Sequence, residues 1–175
     1  PPAKHAAHKP MTDWQRCYIG LGSNPDNPQQ QVSSALLELQ QLQDCRYLQH
    51  SSLYRSDPVG PAGQPDYINA VACLETCLSA LQLLDALQAI EQAHQRIRIQ
   101  HWGPRTLDLD LLLYADQTIH CERLTVPHAY LTARNFVLYP LAEIAPQLQL
   151  PDGTALEKLL KQCPAGSLEK INSTE

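Results

Sequence analysis

Asp108 and Asp110 stand two residues apart in RTLDLDLLLY, a stretch that otherwise reads as a buried strand. Asp is depleted in strands because its short polar side chain competes for backbone hydrogen bonds. Side chains two apart in a strand point the same way, so both carboxylates share a face, with Cα atoms about 7 Å apart. Like charges at that range disfavour each other unless a cation lies between them. A D-x-D pair can offer one carboxylate to each of two Mg²⁺ ions, with water and phosphate oxygens completing the octahedra. Acidic pairs also serve structure. Strict alternation places Leu107, Leu109, Leu111 and Leu113 on the opposite, apolar face, and Thr106, Leu112 and Tyr114 with the aspartates.

Cations crowd just upstream. Arg96, Arg98 and Arg105, with His94 and His101, fall within residues 94–105. Beside paired carboxylates such a cluster suits a site that handles both metal and phosphate, or a salt-bridged surface. The lysines are Lys4, Lys9, Lys158, Lys161 and Lys170, all toward the chain ends. The body of the fold therefore holds no Schiff-base or phosphate-loop lysine. In HWGPR, Trp102 can stack on a flat ring or plug a core. Tyr67 and Asn69 alternate on one strand face, and Asn offers the donor and acceptor that a heterocycle edge requires. The same spacing is common in sheets. GLGSNP is not a dinucleotide fingerprint, because the third glycine position is Pro25. Its glycines read as a tight strand-to-helix turn.

These residues need elements to position them. CYIGLG, Cys17 to Gly22, reads as a first strand. A helix follows, with Asn27 as cap, Pro28 in the first turn and apolar Val32, Ala35, Leu36, Leu39 and Leu42. Arg46 to Arg55 reads as a second strand, Asp57 to Asp66 as a Gly/Pro loop, and Tyr67 to Leu78 as a third strand. Ser79 and Gln82 form a capping box for a second helix with Ala80, Leu83, Leu84, Leu87 and Ile90 along one stripe. RIRIQHWGPR reads as a basic loop before the aspartate strand. A turn at YADQ, a short strand near Ile119, a turn at Pro127 and a short helix from about Thr132 follow. The order β-α-β-β-α-β with an added hairpin predicts an α+β single-domain sandwich, with a ferredoxin-like core and a mainly antiparallel sheet. The loops 57–66 and 95–104 flank the aspartates and are expected to close over bound substrates.

The chain has 175 residues, 43% of them hydrophobic and 18% charged, enough to bury a core. A net charge of −5 argues against a broad footprint on nucleic acid or anionic membrane. Cys17, Cys45, Cys73, Cys77, Cys121 and Cys163 show no C-x-x-C spacing, and no signal peptide or membrane-length apolar run is present, so reduced thiols in a cytoplasmic protein are expected. Residues 1–11 lack periodicity and read as a tag remnant or tail, leaving 12–175 as the domain.

YIGLGSN, SSLYRSDPVGPAGQPDYINAV, RIR, HWGPRTLDLDLLLY, RLTVPH and FVLYPLAEIAP together closely resemble the 6-hydroxymethyl-7,8-dihydropterin pyrophosphokinase family of folate biosynthesis. The resemblance runs from about Tyr18 to Pro151. It implies transfer of pyrophosphate from ATP to the pterin's hydroxymethyl oxygen, with two Mg²⁺ ions and AMP as the other product. No nucleic-acid or membrane partner is expected, and a monomer is. On it, Asp108 and Asp110 become metal ligands, and Arg96 and Arg105 catalytic phosphate contacts. Gln88, Glu91, Arg98, Leu111 (through its backbone), Arg123, Thr125, His128 and Arg134 become ATP contacts. Tyr67, Trp102 and Phe136 would clamp the pterin, Asn69 would read its edge, and main-chain groups at Asp57, Pro58 and Val59 would complete the pocket. Two departures from the family pattern stand out. His101 occupies a position where some members carry arginine, in a loop one residue shorter. Ala129 replaces an aromatic, which Tyr130 can supply. A non-catalytic binder on the same fold would be expected to lose the aspartates or arginines, and both are kept. A different D-x-D phosphoryl transferase is disfavoured by Tyr67, Asn69 and Trp102, which suit a flat acceptor.

Overall fold

A computed structural model describes residues 13–24, 27–57, 66–100 and 107–171, with the side chains of 96–100 outside that description. In chain order the elements are β1 (Gln15–Ser23), α1 (Pro28–Leu39), β2 (Cys45–His50), β3 (Leu53–Ser56), β4 (Tyr67–Thr76), α2 (Ala80–Gln100), β5 (Leu107–Tyr114), β6 (Ile119–His120) and β7 (Thr125–Val126). A 3₁₀ turn (Leu131–Ala133), α3 (Asn135–Ile144), α4 (Leu156–Gln162) and β8 (Glu169–Ile171) complete them. The main sheet runs β5-β1-β4-β3-β8, and β2 also pairs with β4. Every pairing in it is antiparallel. β6 and β7 form the added hairpin. The α+β expectation holds.

Helices cover both sheet faces. Against one, α1 buries Val32, Ala35, Leu36 and Leu39, and α2 buries Leu83, Leu84, Leu87 and Ile90, all in one cluster with Ile19, Leu21, Leu74, Leu107, Leu109 and Leu111. Against the other, α3 and α4 bury Val137, Leu138, Leu141, Leu156 and Leu159 onto Tyr18, Val71, Cys73, Leu112 and Leu113. This second cover spans only half the face. Beyond it β1 presents Gly20 and Gly22, β4 presents Asn69 and Tyr67, and β5 presents Asp108 and Asp110.

Four local expectations change. The stretch 46–55 is two strands. Ser51 takes over the ladder at the break, with its backbone N–H donating to Val71 O (2.8 Å) and its Oγ accepting from Val71 N (2.9 Å). The strict alternation of β5 fails at Leu113. Tyr18 pairs with Leu113 and Ile19 with Leu111, so Leu112 is an extra residue in a bulge. Leu112 and Leu113 therefore pack on the same side, and Tyr114 turns to the helix side, its Oη donating to Leu78 O at 2.6 Å. The basic stretch expected as a loop is helical as far as Gln100, because no Gly or Pro occurs between Ala80 and that point. Finally, Gly20 and Gly22 lie within β1 rather than in a turn.

The caps are partly as expected. Ser79 N donates to Gln82 Oε1 (2.9 Å) and Gln82 N to Ser79 Oγ (3.2 Å), a reciprocal capping box. Asn27 precedes Pro28 in the left-handed region (φ 52°), which Asn tolerates, but its side chain caps nothing. The helix α4 and strand β8 had no clear signal in the sequence, being seven and three residues long.

Candidate active site

The uncovered half of the second face is the floor of a cleft of about 710 Å³. Its contents follow from strand alternation. β1 places Gly20 opposite Asp110 and Gly22 opposite Asp108. On its other side Gly22 pairs with Asn69. The two aspartates thus lie across a glycine-lined strand from the buried amide of Asn69. A Cβ on Gly22 would come within 3.2 Å of Asn69 Nδ2, and one on Gly20 within 3.3 Å of Leu112 Cδ2. The glycines keep this floor at backbone level.

Asn69 is oriented from behind. Ser56 Oγ donates to its Oδ1 at 2.8 Å, which fixes the amide with Nδ2 toward Gly22. Tyr67 lies on the same strand face and Phe136 on the opposing α3, so two aromatic residues and an amide line one end of the cleft. Arg134 lies between that end and the aspartates, its guanidinium 4.6 Å from the Tyr130 ring centroid and 5.5 Å from that of Phe136.

Asp110 is electrostatically frustrated. Burial by surrounding protein pushes its carboxyl above the ordinary value. His128 and Arg134 pull it down and Asp108 pushes it up, leaving a net rise. His128 Nε2 lies 3.9 Å from Asp110 Oδ2, while its Nδ1 accepts from Tyr130 N at 3.3 Å. Two neighbouring carboxylates on one face, one of them raised by burial, fit a divalent cation. Among the described residues no group of three or more His, Cys, Asp or Glu gathers for a metal. A pair of carboxylates, with remaining positions for water and phosphate, suits Mg²⁺ better than a metal needing a full protein cage.

The cleft brings together Asp57, Tyr67, Asn69, Asp108, Asp110, Arg134 and Phe136 from the residues proposed on sequence grounds. A second group lies outside it. Glu91 Oε2 accepts from Leu109 N (2.8 Å), and His128 N donates to Leu112 O (3.0 Å), both on β5. Arg123 Nη2 donates to Asp85 Oδ1 (2.5 Å) and Gln88 Oε1 (3.2 Å) of α2. Thr125 is exposed on β7, and the Leu111 side chain is core. The Tyr130 ring centroid lies 6.1 Å from that of His128. Pro58, Val59, His101, Trp102 and Arg105 lie outside the described residues, as do the side chains of Arg96 and Arg98.

Sequence reasoning missed Ser56, Asn135, Cys163 and Pro164, which also line the cleft. Ser56 had a signal, since it precedes the Asp57 loop on a strand that pairs with β4. Cys163 and Pro164 reach the site only through tertiary folding. All six cysteines are free thiols, and among the described residues no helix is long and apolar enough to cross a membrane.

Residues 18–146 match the model of a family described as 7,8-dihydro-6-hydroxymethylpterin-pyrophosphokinase (HPPK). A 2-amino-4-hydroxy-6-hydroxymethyldihydropteridine pyrophosphokinase of Pseudomonas aeruginosa is 52% identical over 157 residues, covering 90% of this chain and 97% of that protein. One of Haemophilus influenzae is 48% identical over 155 residues, covering 89% and 97%. In structure, wild-type HPPK-DHPS of Plasmodium falciparum aligns with a TM-score of 0.68 at 14% identity, over 86% of this chain and 45% of that one. At that identity the likeness speaks for the fold.

Proposed function

The chain belongs to the 7,8-dihydro-6-hydroxymethylpterin-pyrophosphokinase family, whose members act in folate biosynthesis, and from that premise we propose how its cleft performs the transfer. The substrates are ATP and 6-hydroxymethyl-7,8-dihydropterin, and the products are AMP and the pterin diphosphate. The observation that carries this reading is the placing of Asp108 and Asp110 in one cleft with Tyr67, Asn69 and Phe136. Charged-phosphate chemistry and flat-ring recognition meet there across a single bare strand.

At the pterin end, Tyr67 and Phe136, joined by Trp102, hold the ring by its faces. Asn69, oriented by Ser56, reads its edge. Main-chain groups at Asp57, Pro58 and Val59 complete that end. At the other end Asp108 and Asp110 would hold two Mg²⁺ ions, which would polarise phosphate oxygens and offset charge that builds during displacement. Arg134, with Arg96, Arg98 and Arg105, neutralises phosphate oxygens. Gln88, Glu91, Arg123, Thr125 and His128, along the outer side of β5 and α2, take the nucleotide, with the backbone at Leu111. The pterin hydroxymethyl oxygen attacks the β-phosphorus of ATP and releases its proton to solvent, the bond from that phosphorus to the bridging α,β-oxygen breaks, and AMP leaves carrying that oxygen. Much of the catalytic effect is positioning and charge neutralisation, because the displacement needs no covalent enzyme intermediate. The free thiols accord with a reducing, cytoplasmic setting.

The deciding experiment follows AMP release from ATP with Mg²⁺ present. AMP should form only when the reduced pterin is added, one equivalent for each pterin diphosphate. ATP consumption that ignores the pterin, or that yields ADP, would overturn the reading.

A further inference from the structure

The chain beyond α4 is more than a trailing end. Cys163 and Pro164 line the cleft, although they lie past the last residue of the family match, 146. The backbone there is tied down at several points. Tyr139 Oη donates to Cys163 O at 2.9 Å. Asn135 Nδ2 donates to Ala165 O at 2.9 Å and to Pro164 O at 3.3 Å. The chain then reverses, with Leu168 N donating to Ala165 O and Gly166 at φ +56°, a conformation that favours glycine. The reversal delivers Ser167 Oγ to the carboxylate of Asp57, to which it donates.

From there β8 joins the sheet beside β3, pairing Glu169 with Arg55. Arg55 Nη1 lies 3.7 Å from Glu169 and its Nε 3.8 Å from Asp66. The segment 163–171 is thus linked to Asp57 directly and to Asp66 through Arg55. At its near end it is held by Asn135, the immediate neighbour of Phe136. Both attachments fall at the aromatic end of the cleft rather than at the aspartates.

We propose that Asn135 and Ser167 are positioning residues for the pterin, acting through the wall formed by Cys163 and Pro164 and through the fixed carboxylate of Asp57. This rests on the assignment of that end of the cleft to the pterin. Asn135 holds the wall at the distance the ring requires. Ser167 holds Asp57, whose main chain borders the ring. Neither side chain needs to touch the substrate.

Steady-state kinetics of Asn135→Ala and Ser167→Ala tests this, with Ser167→Thr keeping the donor. The KM for the pterin should rise about fivefold in each alanine variant, the worth of roughly one hydrogen bond, and return to the wild-type value in Ser167→Thr. The KM for ATP and kcat should stay within about twofold of wild type. A merely structural role would move both KM values together or neither. Alkylation of the wild-type thiols gives a second measurement that does not depend on the folding of Asn135→Ala. Bound pterin, with a non-hydrolysable ATP analogue, should slow labelling of Cys163 and leave Cys45, at the far end of the sheet, unchanged. An unchanged pterin KM in Ser167→Ala, a parallel rise in the KM for ATP, or unprotected Cys163 overturns the proposal. A wild-type enzyme without pterin-dependent AMP release would instead overturn the reading beneath it.

Discussion

On the face that meets α1 and α2, strands β1, β4 and β5 present Ile19, Leu21, Leu74, Leu107 and Leu109, all buried. On the other face the same strands present Gly20, Gly22, Asn69, Asp108 and Asp110 over the cleft. Neighbouring residues in one strand thus do opposite work. The helix-covered face is filled with branched aliphatic volume, whose burial contributes about 25 cal/mol per Å² of apolar area removed from water. The cleft face has given up that volume at two glycines and holds an amide and two carboxylates instead. Where the cleft lies, the strands carry packing on one side and the proposed chemistry on the other, so substitutions one residue apart should separate the two.

The sharpest separation is Asp108→Asn or Asp110→Asn. Each should lower pterin-dependent AMP release by on the order of 10³-fold, since a metal ligand contributes several kcal/mol in the transition state. For Asp110→Asn the urea midpoint should not fall, because burial already destabilises that carboxylate. Near-wild-type turnover at limiting Mg²⁺ would dissolve the contrast between faces. The opposite substitution is Leu87→Ala, in a fully buried position of α2. It should cost about 2–5 kcal/mol of stability in urea, with kcat per folded molecule nearly unchanged.

Gly22→Ala probes the boundary. Its Cβ would press on an amide that is buried and held by Ser56, so the neighbour has little room to yield. A rise of about tenfold in the KM for the pterin is expected, equal to about 1.4 kcal/mol, with a smaller effect at the aspartates. An unchanged KM would show that Asn69 can shift. The smallest effect concerns the covered half of the cleft face. Burial would raise the Glu143 carboxyl, but bonds from Tyr54 Oη (2.5 Å), Ser52 N (2.8 Å) and Ser52 Oγ (3.0 Å), with Lys170, outweigh it and hold the group below its ordinary 4.5. A lowered folded-state value stabilises the protein above the ordinary one, and the benefit is lost as pH falls through the folded value. Wild-type stability should therefore decline on acidification below about pH 4.5, and Glu143→Gln should flatten part of that decline. Denaturant midpoints measured across that range would check it.

Much of this architecture could be read from local pattern. The Ser79–Gln82 box and the Leu83, Leu84, Leu87, Ile90 stripe announce α2, and the alternation of Asp108 and Asp110 against leucines announces both faces of β5. The failures have physical causes. A one-residue bulge is invisible in an all-leucine run, because leucine suits either face, and so Leu113 and Tyr114 were placed on the wrong sides. The basic run 95–100 carries charge but no helix breaker, so α2 continues through it where charge alone suggests a loop. The roles of Gly20 and Gly22 depend on what lies across the strand, Asn69 and Leu112, which no local window contains. The same holds for Cys163 and Pro164.

The outer side of β5 has a consequence of another kind. It is the terminal strand of the sheet, and a terminal strand carries a row of bonding groups that can recruit a strand from another molecule. Here Leu109 N–H is taken by the Glu91 carboxylate and Leu112 O by His128 N–H. A foreign strand would have to displace both before it could pair. The residues proposed to take the nucleotide would therefore also guard the sheet against aggregation, and Glu91→Ala should leave the protein more prone to form fibres on storage.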